Sequence, residues 1–118
     1  MQLINHVCFS PDGSKIASAS FDKCCKLWDG FTGAFLCSLR AHVGPVYQLA
    51  WSADSRMLVS SSRDATLKLW DTRDHRLLRT LHGHSGKVMS ADFSPDERHV
   101  VSAGYDRTMK IWAHRDEI

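Results

Sequence analysis

The chain has 118 residues, 43% of them hydrophobic, with 15 Lys or Arg against 13 Asp or Glu and a formal net charge of +2. That length suits one domain able to bury roughly two thirds of its unfolded surface, and the composition is that of an ordinary globular protein. The near balance of charge argues against a nucleic-acid or anionic-membrane module. No apolar run approaches the ~20 residues of a membrane span, and the first residues do not join a basic segment to an apolar stretch as a secretory leader does.

Along the chain one period dominates. Trp28, Trp70 and Trp112 stand 42 residues apart, and each has an Asp six residues before it: Asp22, Asp64 and Asp106. Ser10, Ser52 and Ser94 keep the same register, as do Asp12, Asp54 and Asp96, Ser18, Ser60 and Ser102, and Lys26, Lys68 and Lys110. His42 and His84 mark the two internal repeat starts. A period of this size means stacked supersecondary units, here taken as 1–39, 40–81 and 82–118. The four cysteines, Cys8, Cys24, Cys25 and Cys37, fall outside the pattern. Adjacent Cys24 and Cys25 cannot form an ordinary disulfide, and no Cys-x-x-Cys spacing offers a zinc site. Reduced thiols in an intracellular protein are expected.

In the first unit, Ser10-Pro-Asp-Gly13 is a turn, because Pro presets φ and Asp bonds back to the backbone. Residues 34–39 are its fourth strand. The second unit shows all four strands: 46–51 alternates as a half-buried strand, 57–62 follows a turn at 52–55, 67–70 follows a turn at 63–65, and 77–81 follows a polar connection at 71–75. The third unit opens at His82-Gly-His84 and turns at Ser94-Pro-Asp-Glu97. It has no fourth strand in prospect, because 113–118 is short and charged. No helical stripe occurs, and short strands joined by tight turns predict an all-β chain of antiparallel meanders.

Leu27-Trp28-Asp29 and Leu69-Trp70-Asp71, with a preceding Ser-x-Asp and Gly83-His84, resemble the WD-repeat (WD40) family over the whole chain. Ala41-His42 stands where Gly-His is usual, Trp112-Ala113 stands for Trp-Asp, and the Gly-His of repeat one would lie upstream of Met1. The resemblance implies β-propeller blades, here about three in an incomplete ring, where most rings of the family close at seven. The missing strand would come from residues outside this sequence or from another molecule, so the remaining blades of a larger propeller or self-association are expected partners.

His42, Ser60 and Asp64 have the residue types of a hydrolase triad, as do His84, Ser102 and Asp106. The family implies a structural role instead, a hydrogen-bonded network of His, Ser, Asp and Trp in each blade. Its members here are His42, Ser60, Asp64 and Trp70; His84, Ser102, Asp106 and Trp112; and Ser18, Asp22 and Trp28. An enzyme, a metal site and a cofactor are therefore not expected. By register, the family's partner-binding top face falls on Leu3, Asn5 and Phe21, on Pro45, Tyr47 and Arg63, and on Lys87, Met89 and Tyr105. Tyr and Arg are frequent hot-spot residues.

Leu3-Ile-Asn-His6, Ser18-Ala-Ser-Phe-Asp22, Lys26-Leu-Trp-Asp-Gly30, Ser38-Leu-Arg40 and the run from Val46 to Arg56 resemble the Notchless-type WD-repeat proteins. That likeness covers repeats one and two, whereas repeat three fits the general WD pattern. It implies a non-enzymatic scaffold for protein–protein interaction in biogenesis of the large (60S) ribosomal subunit, placed in the nucleus or nucleolus and bound to pre-ribosomal particle components. A small-molecule substrate, a membrane and direct nucleic-acid binding are not expected. The alternative is a WD-repeat adaptor in a cytoplasmic signalling or ubiquitin-ligase complex.

Overall fold

A computed structural model describes residues 3–113. These form eleven strands and no helix: β1 (Ile4–Phe9), β2 (Lys15–Ser20), β3 (Cys24–Asp29), β4 (Phe35–Arg40), β5 (Val46–Trp51), β6 (Met57–Ser62), β7 (Thr66–Asp71), β8 (Arg76–His82), β9 (Val88–Phe93), β10 (His99–Gly104) and β11 (Met109–Ala113). They make three sheets ordered β1-β2-β3-β4, β5-β6-β7-β8 and β9-β10-β11. Every neighbouring pair is antiparallel. The chain is thus all-β, three blades of an unclosed propeller. Strand β7 runs one residue beyond the predicted stretch at each end, because Thr66 pairs with His82 and Asp71 with Arg76. The expectation of no fourth strand in the third blade falls on residues 114–118, which lie outside the described residues.

Each blade is tied at both ends by turns that repeat in register. At one end Gly13, Ser55 and Glu97 adopt positive φ, and at the other Lys23, Ala65 and Arg107 do so. Only the first of these six is Gly, the residue that adopts this conformation without strain. The Ser-x-Asp signal explains the first kind of turn. Asp12, Asp54 and Asp96 accept the hydroxyls of Ser10, Ser52 and Ser94 at 2.7, 2.6 and 2.5 Å. The same carboxylates accept backbone N–H groups of Ser14, Arg56 and Arg98. These bonds lower the Asp12 carboxyl to about 2, led by the Ser14 N–H. The three carboxylates are turn-formers in three separate blades.

The core lies between blades, not within them. Alternation sends successive residues of a strand to opposite faces, so neighbouring Leu58 and Val59 enter different clusters. Leu49, Trp51, Leu58 and Trp70 of blade 2 pack on Ala17, Ala19, Cys25 and Leu27 of blade 1. Phe93 and Val100, with Trp112 at the margin, pack in turn on Val59, Leu67, Leu69 and Leu81 of blade 2. Each blade therefore offers a bulky row to the blade before it and a smaller aliphatic face to the blade after it. Polar contacts reinforce the stacking. Lys15 Nζ donates to Thr72 O at 2.7 Å, Asp12 N to Ser55 Oγ at 3.1 Å and Asp54 N to Glu97 Oε2 at 3.0 Å.

Candidate functional site

The indole of Trp70 enters a buried chain of polar groups. Its Nε1–H donates to Ser60 Oγ at 3.0 Å. Ser60 Oγ also lies 2.7 Å from His42 Nε2, and His42 Nδ1 lies 2.9 Å from Asp64 Oδ2. An ionised carboxylate only accepts, so the network assigns the proton to Nδ1; Nε2 then accepts the Ser60 hydroxyl. The chain has one direction, from indole through hydroxyl and imidazole to carboxylate. Blade 3 repeats it: Trp112 donates to Ser102 at 2.9 Å, Ser102 meets His84 at 2.7 Å, and His84 reaches Asp106 at 3.0 Å.

Three further groups close on each carboxylate. Val43 N, Thr66 N and the Thr66 hydroxyl bond Asp64 at 3.0, 3.0 and 2.6 Å. Ser85 N, Thr108 N and the Thr108 hydroxyl bond Asp106 at 3.0, 3.1 and 2.7 Å. Burial works to raise the Asp64 carboxyl, but the bonds from His42 and Thr66 outweigh it and hold the group well below the usual carboxylate range. Asp106 is held low as well, first by the Thr108 hydroxyl and then by Ser85 N and His84, against burial. Thr66 and Thr108 escaped the sequence reading although they keep the 42-residue register; the signal is blurred because Cys24 fills their position in blade 1.

Blade 1 holds only part of this arrangement. Trp28 Nε1 donates to Ser18 Oγ at 3.1 Å. Asp22 accepts Cys24 N at 3.1 Å and pairs with Lys26 at 3.6 Å. The structure thus brings together four sequence-selected residues in each of blades 2 and 3, while in blade 1 it joins Trp28 to Ser18 and leaves Asp22 in the turn. Gly83 precedes His84 for a steric reason, since a Cβ there would sit 2.7 Å from the Trp112 ring.

The atoms of a hydrolase triad are present, but their surroundings serve packing. Ser60 is completely buried, and its oxygen already accepts the Trp70 indole while its hydroxyl faces His42. A nucleophile must be presented to a substrate beside an oxyanion site; Ser60 is presented to an indole. Among the described residues no group of three or more His, Cys, Asp or Glu is placed to hold a metal ion.

Above each relay lies the rim formed by the β2–β3, β6–β7 and β10–β11 turns and the strand starts beside them. One backbone bond recurs there: Phe21 N to Leu3 O, Arg63 N to Pro45 O and Tyr105 N to Lys87 O, at 2.9, 3.0 and 2.8 Å. It sets each pair side by side. Phe21, Met89 and Tyr105 are exposed, with Tyr105 at 68%, and so are Leu3 and Arg63. Pro45, Tyr47 and Lys87 are half-buried. Lys87 Nζ stands 4.9 Å over the Tyr105 ring. Asn5 is engaged between blades, its Nδ2 donating to Val46 O at 2.8 Å. The rim's other exposed charges are Lys23, Arg40 and Arg107, whereas Asp64 and Asp106 are spent on His and Thr and Asp22 on Cys24 N and Lys26.

The profile of the WD domain, G-beta repeat family matches residues 2–29, 33–71 and 75–113. The chain is 66% identical over 44 residues to a Notchless protein homolog of Arabidopsis thaliana, covering 37% of this chain and 9% of that protein. It is 63% identical over 35 residues to Ribosome assembly protein 4 of Saccharomyces cerevisiae, covering 30% and 7%. With WD repeat-containing protein 1 of Mus musculus it shares 43% identity over 54 residues, covering 43% and 9%. The stretches of this chain that match therefore span less than a tenth of the length of each of these relatives.

Proposed function

The chain belongs to the WD40-repeat family, and from that premise we propose that it is a non-enzymatic protein-binding scaffold related to the Notchless-type factors of large ribosomal subunit (60S) biogenesis. The observation that carries the reading is the high identity to two such proteins, 66% and 63%, one of which is named for ribosome assembly. Its partners are proteins of pre-ribosomal particles, met in the nucleus or nucleolus.

The contact surface is the rim of Leu3, Asn5 and Phe21, Pro45, Tyr47 and Arg63, and Lys87, Met89 and Tyr105. Aromatic and Arg side chains combine buried area with hydrogen bonding, which is why they dominate hot spots. Exposed Lys23, Arg40, Arg63 and Arg107, beside Asp side chains already spent internally, favour an acidic segment of the partner. The buried relays give this rim a rigid floor in blades 2 and 3, because the loops that start those repeats are pinned to Asp64 and Asp106.

Sedimentation of cell extract through a sucrose gradient tests the reading. The tagged chain is expected to migrate with large-subunit precursors, and the Arg63→Glu/Tyr105→Ala variant to leave those fractions. Absence of the wild-type chain from precursor fractions overturns the ribosomal assignment. A second reading is an adaptor in a signalling or ubiquitin-ligase complex, because the 54-residue match to WD repeat-containing protein 1 shows that the likeness extends beyond proteins named for ribosome assembly. Rim-dependent capture of such a complex in place of precursor proteins would support it.

A further inference from the structure

The two ends of the blade stack carry the two halves of the interface that joins its interior. Across blade 1 the strand register aligns Phe9, Ile16, Trp28 and Phe35 in one row. The matching row of blade 2 is Trp51, Leu58, Trp70 and Leu77. In blade 2 this side is covered by blade 1, and Trp51 is 9% exposed; in blade 1 none of the described residues covers it, and Phe9 is 61% exposed. At the other end, blade 3 presents Val101, Ala103, Met109 and Ile111. These occupy the register positions of Val59, Ser61, Leu67 and Leu69. Leu67 and Leu69 lie beneath the row of blade 3, whereas Met109 and Ile111 are each 68% exposed.

We infer that blade 3 of one copy of this chain receives the Phe9–Ile16–Trp28–Phe35 row of a second copy, whose own blade 3 receives the first copy's row. A second copy carries what each open end of the stack needs. The same bulky-row-on-aliphatic-face contact occurs between blades 1 and 2 and again between blades 2 and 3, and the end faces carry the same residue types at the same positions. Such a contact is heterologous, so it closes into a ring or runs on as a filament according to the rotation per unit. Propellers close at roughly four to eight blades. Two three-bladed copies fall in that range, and three overshoot it.

This inference does not depend on the rim's partner, because it is read as mass without any partner present. Light scattering on the purified chain is expected to give a discrete species of twice the 13.3 kDa chain mass. Phe9→Glu and Ile111→Glu each break both contacts of the ring and are expected to give monomers. Both positions are exposed in the single chain, and far-UV circular dichroism verifies that each variant stays folded. Mixing the two variants restores one native contact, so the dimer should reappear with at least tenfold weaker affinity. A wild-type monomer, an open-ended polymer, or an Ile111→Glu protein that stays dimeric each overturns the inference. A wild-type monomer that pairs only with a separate WD-repeat chain overturns it too, and assigns the faces to that chain.

Discussion

Blades 1 and 2 are built on the same register yet differ in how much of their structure is locked. In blade 2 the Trp70 row lies under a neighbour and the indole feeds a four-membered relay ending on Asp64. In blade 1 Trp28 is half-buried, leans on Phe35 at 5.3 Å and reaches Ser18, where the chain of bonds stops. The difference teaches that a blade is not self-sufficient. Its bulky row needs the blade before it, and its relay needs the His delivered by the loop entering from that blade. Stability in such an array is a sum of unit and nearest-neighbour terms, and within a single copy blade 1 lacks one neighbour term.

The sharpest way to break the comparison is to remove each indole. In the monomeric Ile111→Glu background, Trp70→Ala should cost about 3–5 kcal/mol, the range for a large buried side chain, whereas Trp28→Ala should cost under about 2 kcal/mol because one side of it lies in water there. Urea denaturation of both variants reads the difference, and equal losses would show the blades to be equivalent. Next in size is the serine. Ser60→Ala strands the Trp70 N–H and His42 Nε2 in a buried site, at about 1–3 kcal/mol per group. Ser18→Ala strands a single, partly exposed indole N–H and should cost about 1 kcal/mol. A folded Ser60→Ala protein of unchanged stability would contradict the structural reading of the relay.

Acid sharpens the contrast more gently. Against burial, the bonds from His42 and Thr66 hold the folded-state Asp64 carboxyl well below the ordinary carboxylate range. Asp22 is also lowered, by Cys24 N, Ser20 and Lys26 against burial. A depressed carboxylate contributes stability that is fully present above the unfolded value and is lost as pH falls through the folded one. Melting temperature should therefore decline below about pH 4, and Asp64→Asn should flatten that decline more than Asp22→Asn does. The smallest effect is conformational. Ala65 sits at φ 71 in the β6–β7 turn. Ala65→Gly relieves a left-handed backbone at some cost in unfolded-chain entropy, for a net gain below about 1 kcal/mol. A loss on substitution would show that the Ala65 methyl contributes packing.

Much of this was legible in the 42-residue period. The Trp and Asp positions marked the blade count and the turns, alternation placed the strand at 46–51, and the flanking turns bounded the one at 57–62. The bulky row was not legible as a row, because Phe9, Ile16, Trp28 and Phe35 are brought together only by strand register. Thr66 was missed because Cys24 breaks its repeat signature, and the bond that ties the Asn5 amide to Val46 of the next blade had no sequence signal. Side-chain destinations of that kind depend on the neighbouring blade, which a single repeat read alone does not contain.

The four thiols offer a further use of the fold. All lie in blade 1: Cys8 on β1, Cys24 and Cys25 on β3, and Cys37 on β4. Burial pushes the Cys25 thiol up to about 12, so it reacts as a thiolate only when the sheet opens. Blades 2 and 3 hold no cysteine. Thiol-labelling kinetics thus clock the opening of blade 1 alone while indole fluorescence reports all three blades through Trp28, Trp51, Trp70 and Trp112, and the lag between the two signals measures how cooperatively neighbouring units melt.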